Sequence, residues 1–152
     1  MSKKIKPCLW LDNRVEEAVE FYTSVFNDSE VLSINKMPDG NTMTAEFRLF
    51  DETFMLLNGG PMFNFTEAVS FFIECQDQAE VDYYWDTLSE GGETSQCGWT
   101  KDKFGLSWQV VPVRMMELLG DPDGEKAERV MAEMMKMTKI EVDKLETAYA
   151  GE

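Results

Sequence analysis

From Thr42 to Leu49 every second residue is apolar. Met43, Ala45, Phe47 and Leu49 share one face of an extended chain, and Thr42, Thr44, Glu46 and Arg48 share the other. A period of two predicts a half-buried β-strand. Pro38-Asp39-Gly40-Asn41 ahead of it supplies turn residues, and Val31 to Met37 predicts the hairpin partner. Beyond it, Asp51-Glu52 turns the chain into Phe54-Met55-Leu56-Leu57, a continuous apolar run of the kind found in central strands. A first strand is expected over Ile5 to Leu11. The period then changes to that of a helix ending near Phe26, with Val15, Ala18, Tyr22 and Val25 on one stripe. Asp12 or Asn13 can cap it, and Asn13-x-x-Glu16 has the spacing of a capping box. Residues 1–58 thus read β-α-β-β-β.

The pattern then repeats. Glu17-Ala18-Val19-Glu20-Phe21-Tyr22 recurs as Glu80-Val81-Asp82-Tyr83-Tyr84-Trp85, an offset of 63. Each segment follows an apolar run, Cys8 to Leu11 and Val69 to Ile73, and each carries a helical stripe, the second being Val81, Tyr84, Trp85 and Leu88. Asp77-x-x-Glu80 is a second capping box, and Gly91-Gly92 a helix stop. Glu93 to Lys101 is expected to hold one or two short strands, Lys103-Phe104-Gly105 a turn, and Leu106 to Val111 the last strand. Phe50 to Met55 aligns with Phe104 to Gln109 at an offset of 54, so the second copy is nine residues shorter, in its second strand and hairpin. Internal duplication gives a module at 1–58, a linker at 59–67 opening with Gly59-Gly60-Pro61, and a shortened module at 68–112.

Residues 113–152 read as helices that pack on the domain or on a dimer partner. Val113 to Leu119 ends at Gly120. Pro122-Asp123 starts a second helix with Ala127, Val130, Met131 and Met134 on one stripe, and Thr138-x-x-Glu141 caps a third, Ile140 to Ala148. Met131, Met134, Met135 and Met137 form an adaptable apolar surface that suits either a core or a subunit interface.

Composition narrows the function classes. In 152 residues, 29 Asp and Glu outnumber 14 Lys and Arg, for a net charge of −15. Nucleic acid and anionic membrane surfaces are disfavoured as partners, because both require cationic protein surface. Cys8, Cys75 and Cys97 form no CxxC pair, which suits reduced thiols in the cytoplasm. No apolar run reaches the ~20 residues that span a bilayer. Histidine is absent from the sequence, which removes the commonest general base and transition-metal ligand.

These elements carry a family resemblance. Two tandem β-α-β-β-β modules resemble the vicinal-oxygen-chelate superfamily, which includes glyoxalase I, the extradiol dioxygenases and the bleomycin-resistance proteins. The motifs Cys8-Leu9-Trp10-Leu11-Asp12, Leu57-Asn58-Gly59-Gly60-Pro61, Gln96-Cys97-Gly98-Trp99 with Lys101-Asp102, and Phe104-Gly105-Leu106-Ser107-Trp108-Gln109 are together similar to the PhnB-like family labelled 3-demethylubiquinone-9 3-methyltransferase. The resemblance implies an α+β fold, in which the two modules form a cup-shaped mixed sheet with helices on its outer face, plus a C-terminal helical tail.

That label implies an adenosyl methyl donor, which usually needs a Gly-rich turn between a strand and a helix. Gly59-Gly60 and Gly91-Gly92 are not so placed, and no cofactor is expected. The superfamily's metal ligands are His and Glu on facing strands. The corresponding strands here offer Cys8, Trp10, Phe54, Leu56, Asn58, Ser70, Phe72, Trp108 and Gln109, so no metal is expected. Candidate ligand-binding residues for the cup are Cys8, Trp10, Glu46, Arg48, Asn58, Ser70, Phe72, Trp99, Trp108 and Gln109. The expected function is metal-free binding of a small apolar or aromatic molecule by a cytoplasmic homodimer. The alternatives are a metal-independent enzyme using Glu46 or a cysteine as base or nucleophile, and an interaction protein working through its Met-rich tail.

Overall fold

The structure, a computed structural model, describes residues 4–152. It divides into two units, residues 1–65 and 66–152, and each has its own sheet.

In the first unit, β1 (Cys8–Leu11), α1 (Val15–Val25), β2 (Ser29–Lys36), β3 (Thr42–Leu49) and β4 (Glu52–Asn58) follow in order. The sheet order is β1-β4-β3-β2, with β1 parallel to β4 and the other pairs antiparallel. The apolar stripe of α1 (Val15, Ala18, Tyr22, Val25) is buried together with Leu9, Leu11, Ala45, Phe47, Phe54 and Leu56, so one sheet face and one helix face make a core. Tyr22 stacks on Phe47 at 5.7 Å, and Phe47 on Phe54 at 5.3 Å.

The alternation over β3 holds for Ala45, Phe47 and Leu49 but reverses at its start. Met43 is exposed and Thr42 is buried. Asn35 pairs with Thr44 and Lys36 with Thr42, leaving Met43 unopposed. That extra residue is a bulge, and it turns Thr42 toward α1, where its hydroxyl binds the Glu16 carboxylate.

The second unit repeats the plan. It comprises β5 (Ser70–Cys75), α2 (Gln78–Ser89), β6 (Glu93–Thr94), β7 (Trp99–Lys101) and β8 (Ser107–Pro112) in the order β5-β8-β7-β6, with β5 parallel to β8. The shortening falls on β6 and β7, which have 2 and 3 residues where β2 and β3 have 8 each. Val81, Tyr84, Trp85 and Leu88 of α2 are buried as their spacing predicts. Then come α3 (Val113–Leu119), α4 (Gly124–Met134) and α5 (Val142–Ala150). Val111, Met115, Leu118, Val130, Met137, Ile140 and Leu145 form one buried cluster that joins these helices to the end of β8. The four methionines part company: Met137 is buried and Met134 packs against the cluster, whereas Met131 and Met135 are exposed.

Helix capping departs from the sequence expectation twice. Asn13 does not cap α1; it adopts φ 57°, and the N-cap position is held by Arg14, whose side chain turns to Glu17 at 2.9 Å rather than to the helix N–H groups. Asn58, at the end of β4, accepts from the Val15 N–H at 3.1 Å and donates to the Thr42 carbonyl at 2.9 Å. Thr138 likewise does not cap α5. Gln78 accepts from the Val142 N–H at 2.8 Å and donates to the Ile140 carbonyl at 2.9 Å. Asp77 does cap α2, with the Glu80 N–H donating to it at 2.9 Å, while the Glu80 carboxylate reaches back to accept from the Gln76 N–H at 3.2 Å.

Candidate functional site

Cross-strand partners point to the same side of a sheet. In the first unit, the face opposite α1 therefore carries Cys8, Met55 and Glu46 in one row and Trp10, Leu57 and Thr44 in the next. Glu46 is engaged by Lys6 at 2.9 Å. Cys8 is exposed, yet the protein around it excludes enough water to push its thiol above the ordinary value. Trp10 donates its indole N–H to the Gly60 carbonyl at 2.8 Å and meets Phe63 edge-on at 5.0 Å. Its ring lies over Gly59, where a Cβ would collide with it, so a glycine is required there. Arg48 lies at the strand end, bound to Asp28 at 3.0 Å and to the Phe50 carbonyl at 2.6 Å. Asn58, the helix-capping amide, completes the candidates of this unit.

In the second unit, the face away from α2 carries Ser70, Ser107, Lys101 and Glu93 in one row and Phe72, Gln109 and Trp99 in the next. Gln109 donates to the Ser70 hydroxyl at 3.0 Å. Trp108 lies on the opposite face. It is 4% exposed, packs on Phe71 at 5.4 Å and donates its indole N–H to Asp102 at 2.9 Å. Asp102 is buried and also accepts from the Phe104 and Leu106 N–H groups at 2.9 and 3.1 Å. The adjacent pair Lys101-Asp102 therefore forms no turn salt bridge. Successive strand residues diverge, and Lys101 pairs instead with Glu67.

A cavity of about 530 Å³ opens on this second face, lined among others by Glu67, Glu93, Cys97, Trp99, Lys101 and Ser107. It is built on the shortened hairpin: Glu93 and Thr94 of β6 and Trp99 to Lys101 of β7 line it, together with the turn between them. The turn between them, Gln96-Cys97-Gly98-Trp99, has positive φ at Cys97 (57°) and Gly98 (83°), as the tight turn of a hairpin requires. The C-terminal segment holds that turn. The Cys97 and Gly98 N–H groups donate to the carbonyls of Met137 and Thr138 at 2.8 and 2.7 Å.

The hydrogen bond from Lys101 to Glu67 holds the ammonium above its ordinary value and the carboxyl below its own. Ser107 is 1% exposed, and its hydroxyl has no hydrogen-bond partner among the described residues. Of the residues named from sequence as ligand-binding candidates, only Trp99 lines this cavity. Ser107, Lys101 and Glu67, which also line it, were not among those candidates. Ser107 had one available signal: it is the sole hydroxyl in an otherwise apolar strand start, Leu106-Ser107-Trp108.

Two modules, each with a parallel outer pair, an antiparallel continuation and one covering helix, define the vicinal-oxygen-chelate class of fold. The family model described as 3-demethylubiquinone-9 3-methyltransferase matches residues 3–111, and the chain belongs to that family. A solved PhnB protein from Bacillus cereus, described as a putative 3-demethylubiquinone-9 3-methyltransferase, is 30% identical, with a TM-score of 0.68 over 72% of this chain and 99% of its own. Two further structures share the fold at lower identity. Protein PA1353 from Pseudomonas aeruginosa is 18% identical, with a TM-score of 0.61 over 73% of this chain and 98% of its own. The fosfomycin resistance protein FosX from Listeria monocytogenes, complexed with Mn(II) and sulfate, is 13% identical, with a TM-score of 0.54 over 71% of this chain and 89% of its own. No curated protein matches the chain. The family match ends at residue 111, so α3 to α5 lie beyond it.

Proposed function

We propose that this chain binds a small, largely aromatic or apolar molecule, without a metal, in the cavity on the open face of the second sheet. The carrying observation is Ser107. A buried hydroxyl without a partner costs roughly 1–3 kcal/mol, and native proteins keep few of them. At the wall of a cavity in the usual size range of ligand sites, a ligand's polar group supplies the missing bond while its rings pack on Trp99.

The chemistry of the surrounding groups favours binding over turnover. Lys101 is the cross-strand neighbour of Ser107, but its pairing with Glu67 keeps it protonated, so it is unsuited to take a proton from the hydroxyl. Burial pushes the Cys75 thiol up to about 12, with Glu80 adding to the effect, and Cys8 is raised as well. Neither supplies a thiolate near neutral pH.

The donor set also does not suit a divalent metal. Among the described residues, no three Cys, Asp or Glu side chains stand together as ligands, and the sequence has no histidine. Nor do the residues fit an adenosyl donor. The turns from strand to helix are Asp12-Asn13-Arg14 and Gln76-Asp77, without glycine, and Gly92 packs against the Lys101 carbonyl. Three cysteines without a disulfide suit the reducing cytoplasm, and no helix among the described residues is long and apolar enough to cross a membrane. A homodimer completes the reading.

Thermal unfolding of the wild type and of Ser107→Ala tests the proposal. Removing an unpartnered hydroxyl is expected to raise the melting temperature of the ligand-free protein. Zinc, manganese, nickel and magnesium are expected to leave the wild type unchanged. A Ser107→Ala protein less stable than wild type, or a chelator-reversible stabilisation by one equivalent of metal, would overturn the reading.

A further inference from the structure

We propose that the molecule this cavity takes is a planar aromatic cation with a hydrogen-bond donor at its edge. The inference rests on the binding reading above and specifies the charge and shape of the ligand. Three features of the cavity wall carry it.

The first is charge. Glu67 and Glu93 both line the cavity, with Lys101 as the cation between them. Lys101 is engaged by Glu67, while Glu93 stands directly across the strand pair from Lys101. Two carboxylates against one ammonium leave the wall negative, in a chain whose net charge is already −15. An anion entering here meets repulsion from both sources, whereas a cation meets Glu93 without displacing the Glu67 pair.

The second is the aromatic wall. Trp99 is half-buried and shares the sheet face with Ser107, Lys101 and Gln109. Tryptophan is the strongest of the aromatic side chains in attracting a cation over its ring. A flat cation covers the indole and keeps its charge within reach of Glu93.

The third is Ser107. Trp99 pairs with Gln109, and Ser107 lies two residues before Gln109 on the same strand. Trp99 and Ser107 are therefore diagonal neighbours on one face, a separation of about 7–8 Å in an antiparallel pair. A fused aromatic of two or three rings spans that distance. With its rings on Trp99, its edge reaches the Ser107 hydroxyl, which accepts from a ring amine.

Proflavine, a flat tricyclic cation with amino groups at both edges, is the probe. Acridine at mildly alkaline pH is its neutral analogue, and anthracene-2-carboxylate its anionic one. Each is titrated into the full chain while tryptophan fluorescence and probe absorbance are followed. Proflavine is expected to saturate at one per chain, about tenfold tighter than acridine, with the carboxylate weakest of the three. Glu93→Gln is expected to weaken proflavine about fivefold or more and leave acridine unchanged. Ser107→Ala weakens proflavine, and Trp99→Phe removes most of the quenching.

Glu128→Gln, on the exposed side of α4 and away from the cavity wall, controls for diffuse attraction to an acidic protein. If Glu128→Gln weakens proflavine as much as Glu93→Gln does, the site has no charge preference of its own and the inference fails. Acridine or the carboxylate binding as tightly as proflavine also overturns it, while leaving the binding reading intact. If none of the probes binds, the inference falls; the binding reading falls with it only if Ser107→Ala also lowers the stability of the ligand-free protein.

Discussion

Asp102 holds three donors at once: two backbone N–H groups of its own turn and the Trp108 indole. Truncating it leaves all three in a buried place without a partner. Asp102→Ala is expected to destabilise the protein by about 3 kcal/mol or more, read as a lower urea midpoint and a changed near-ultraviolet signal from Trp108. An unchanged midpoint would mean that this turn reorganises around water. The neighbouring Lys101 makes an exposed pair with Glu67, and its contribution depends on pH at both ends. Glu67 is held below its ordinary 4.5, so the pair's contribution is present above that value and is lost as the solution becomes more acidic. Lys101 is held above its ordinary 10.5, so the contribution is present below that value and is lost at more alkaline pH. The difference in melting temperature between wild type and Glu67→Gln is expected to be flat from about pH 5.5 to 9.5 and to shrink on either side. A slope through neutrality would point to another titrating group.

At the scale of elements, two side-chain amides do what local capping residues were expected to do. Asn58 and Gln78 each bind one helix N–H and one nearby carbonyl, closing a helix start against another strand or helix. A helix start has N–H groups that no turn of the helix can satisfy, so a distant amide serves as well as a local one when the fold brings it there. Asn58→Ala and Gln78→Ala are each expected to cost about 1–2 kcal/mol in urea unfolding, with the loss centred on α1 in the first case and α5 in the second. Hydrogen exchange at Val15 and Val142 separates the two. Equal protection in both variants and wild type would show that water caps these ends as well as the amides do.

At the scale of the whole molecule, charge and apolar surface oppose each other. Val31, Leu32 and Ile34 on the edge strand β2, with Met37 just beyond it, are each more than 40% exposed, and exposed sheet edges are normally paired or covered. Met131 and Met135 add apolar surface on the tail. A net charge of −15 per chain works against association, and added salt weakens that repulsion. The proposed homodimer is expected to appear in light scattering at about twice the 17.5 kDa chain mass, and to tighten as salt rises. A clean monomer at tens of micromolar, insensitive to salt, would sink it.

The order of strands and helices, the duplication and the buried stripes of α1 and α2 were legible in the sequence, because periodicity is a local property and burial on one face enforces it. The position of the shortening was legible too, since it lay in the offset between the two copies. Tertiary structure decided the rest. The bulge at Met43 that sends Thr42 inward, the capping by Asn58 and Gln78, and the pairing of Lys101 with Glu67 all join residues from different elements, and spacing along the chain does not encode such contacts. The cavity belongs to this group. Trp99 could be named in advance because a large flat side chain suits the wall of a pocket for a flat ligand. Ser107 offered only a faint signal, as the hydroxyl of an apolar strand start, because a serine in a strand is ordinary until its neighbours on the sheet leave the hydroxyl buried and without a partner among the described residues.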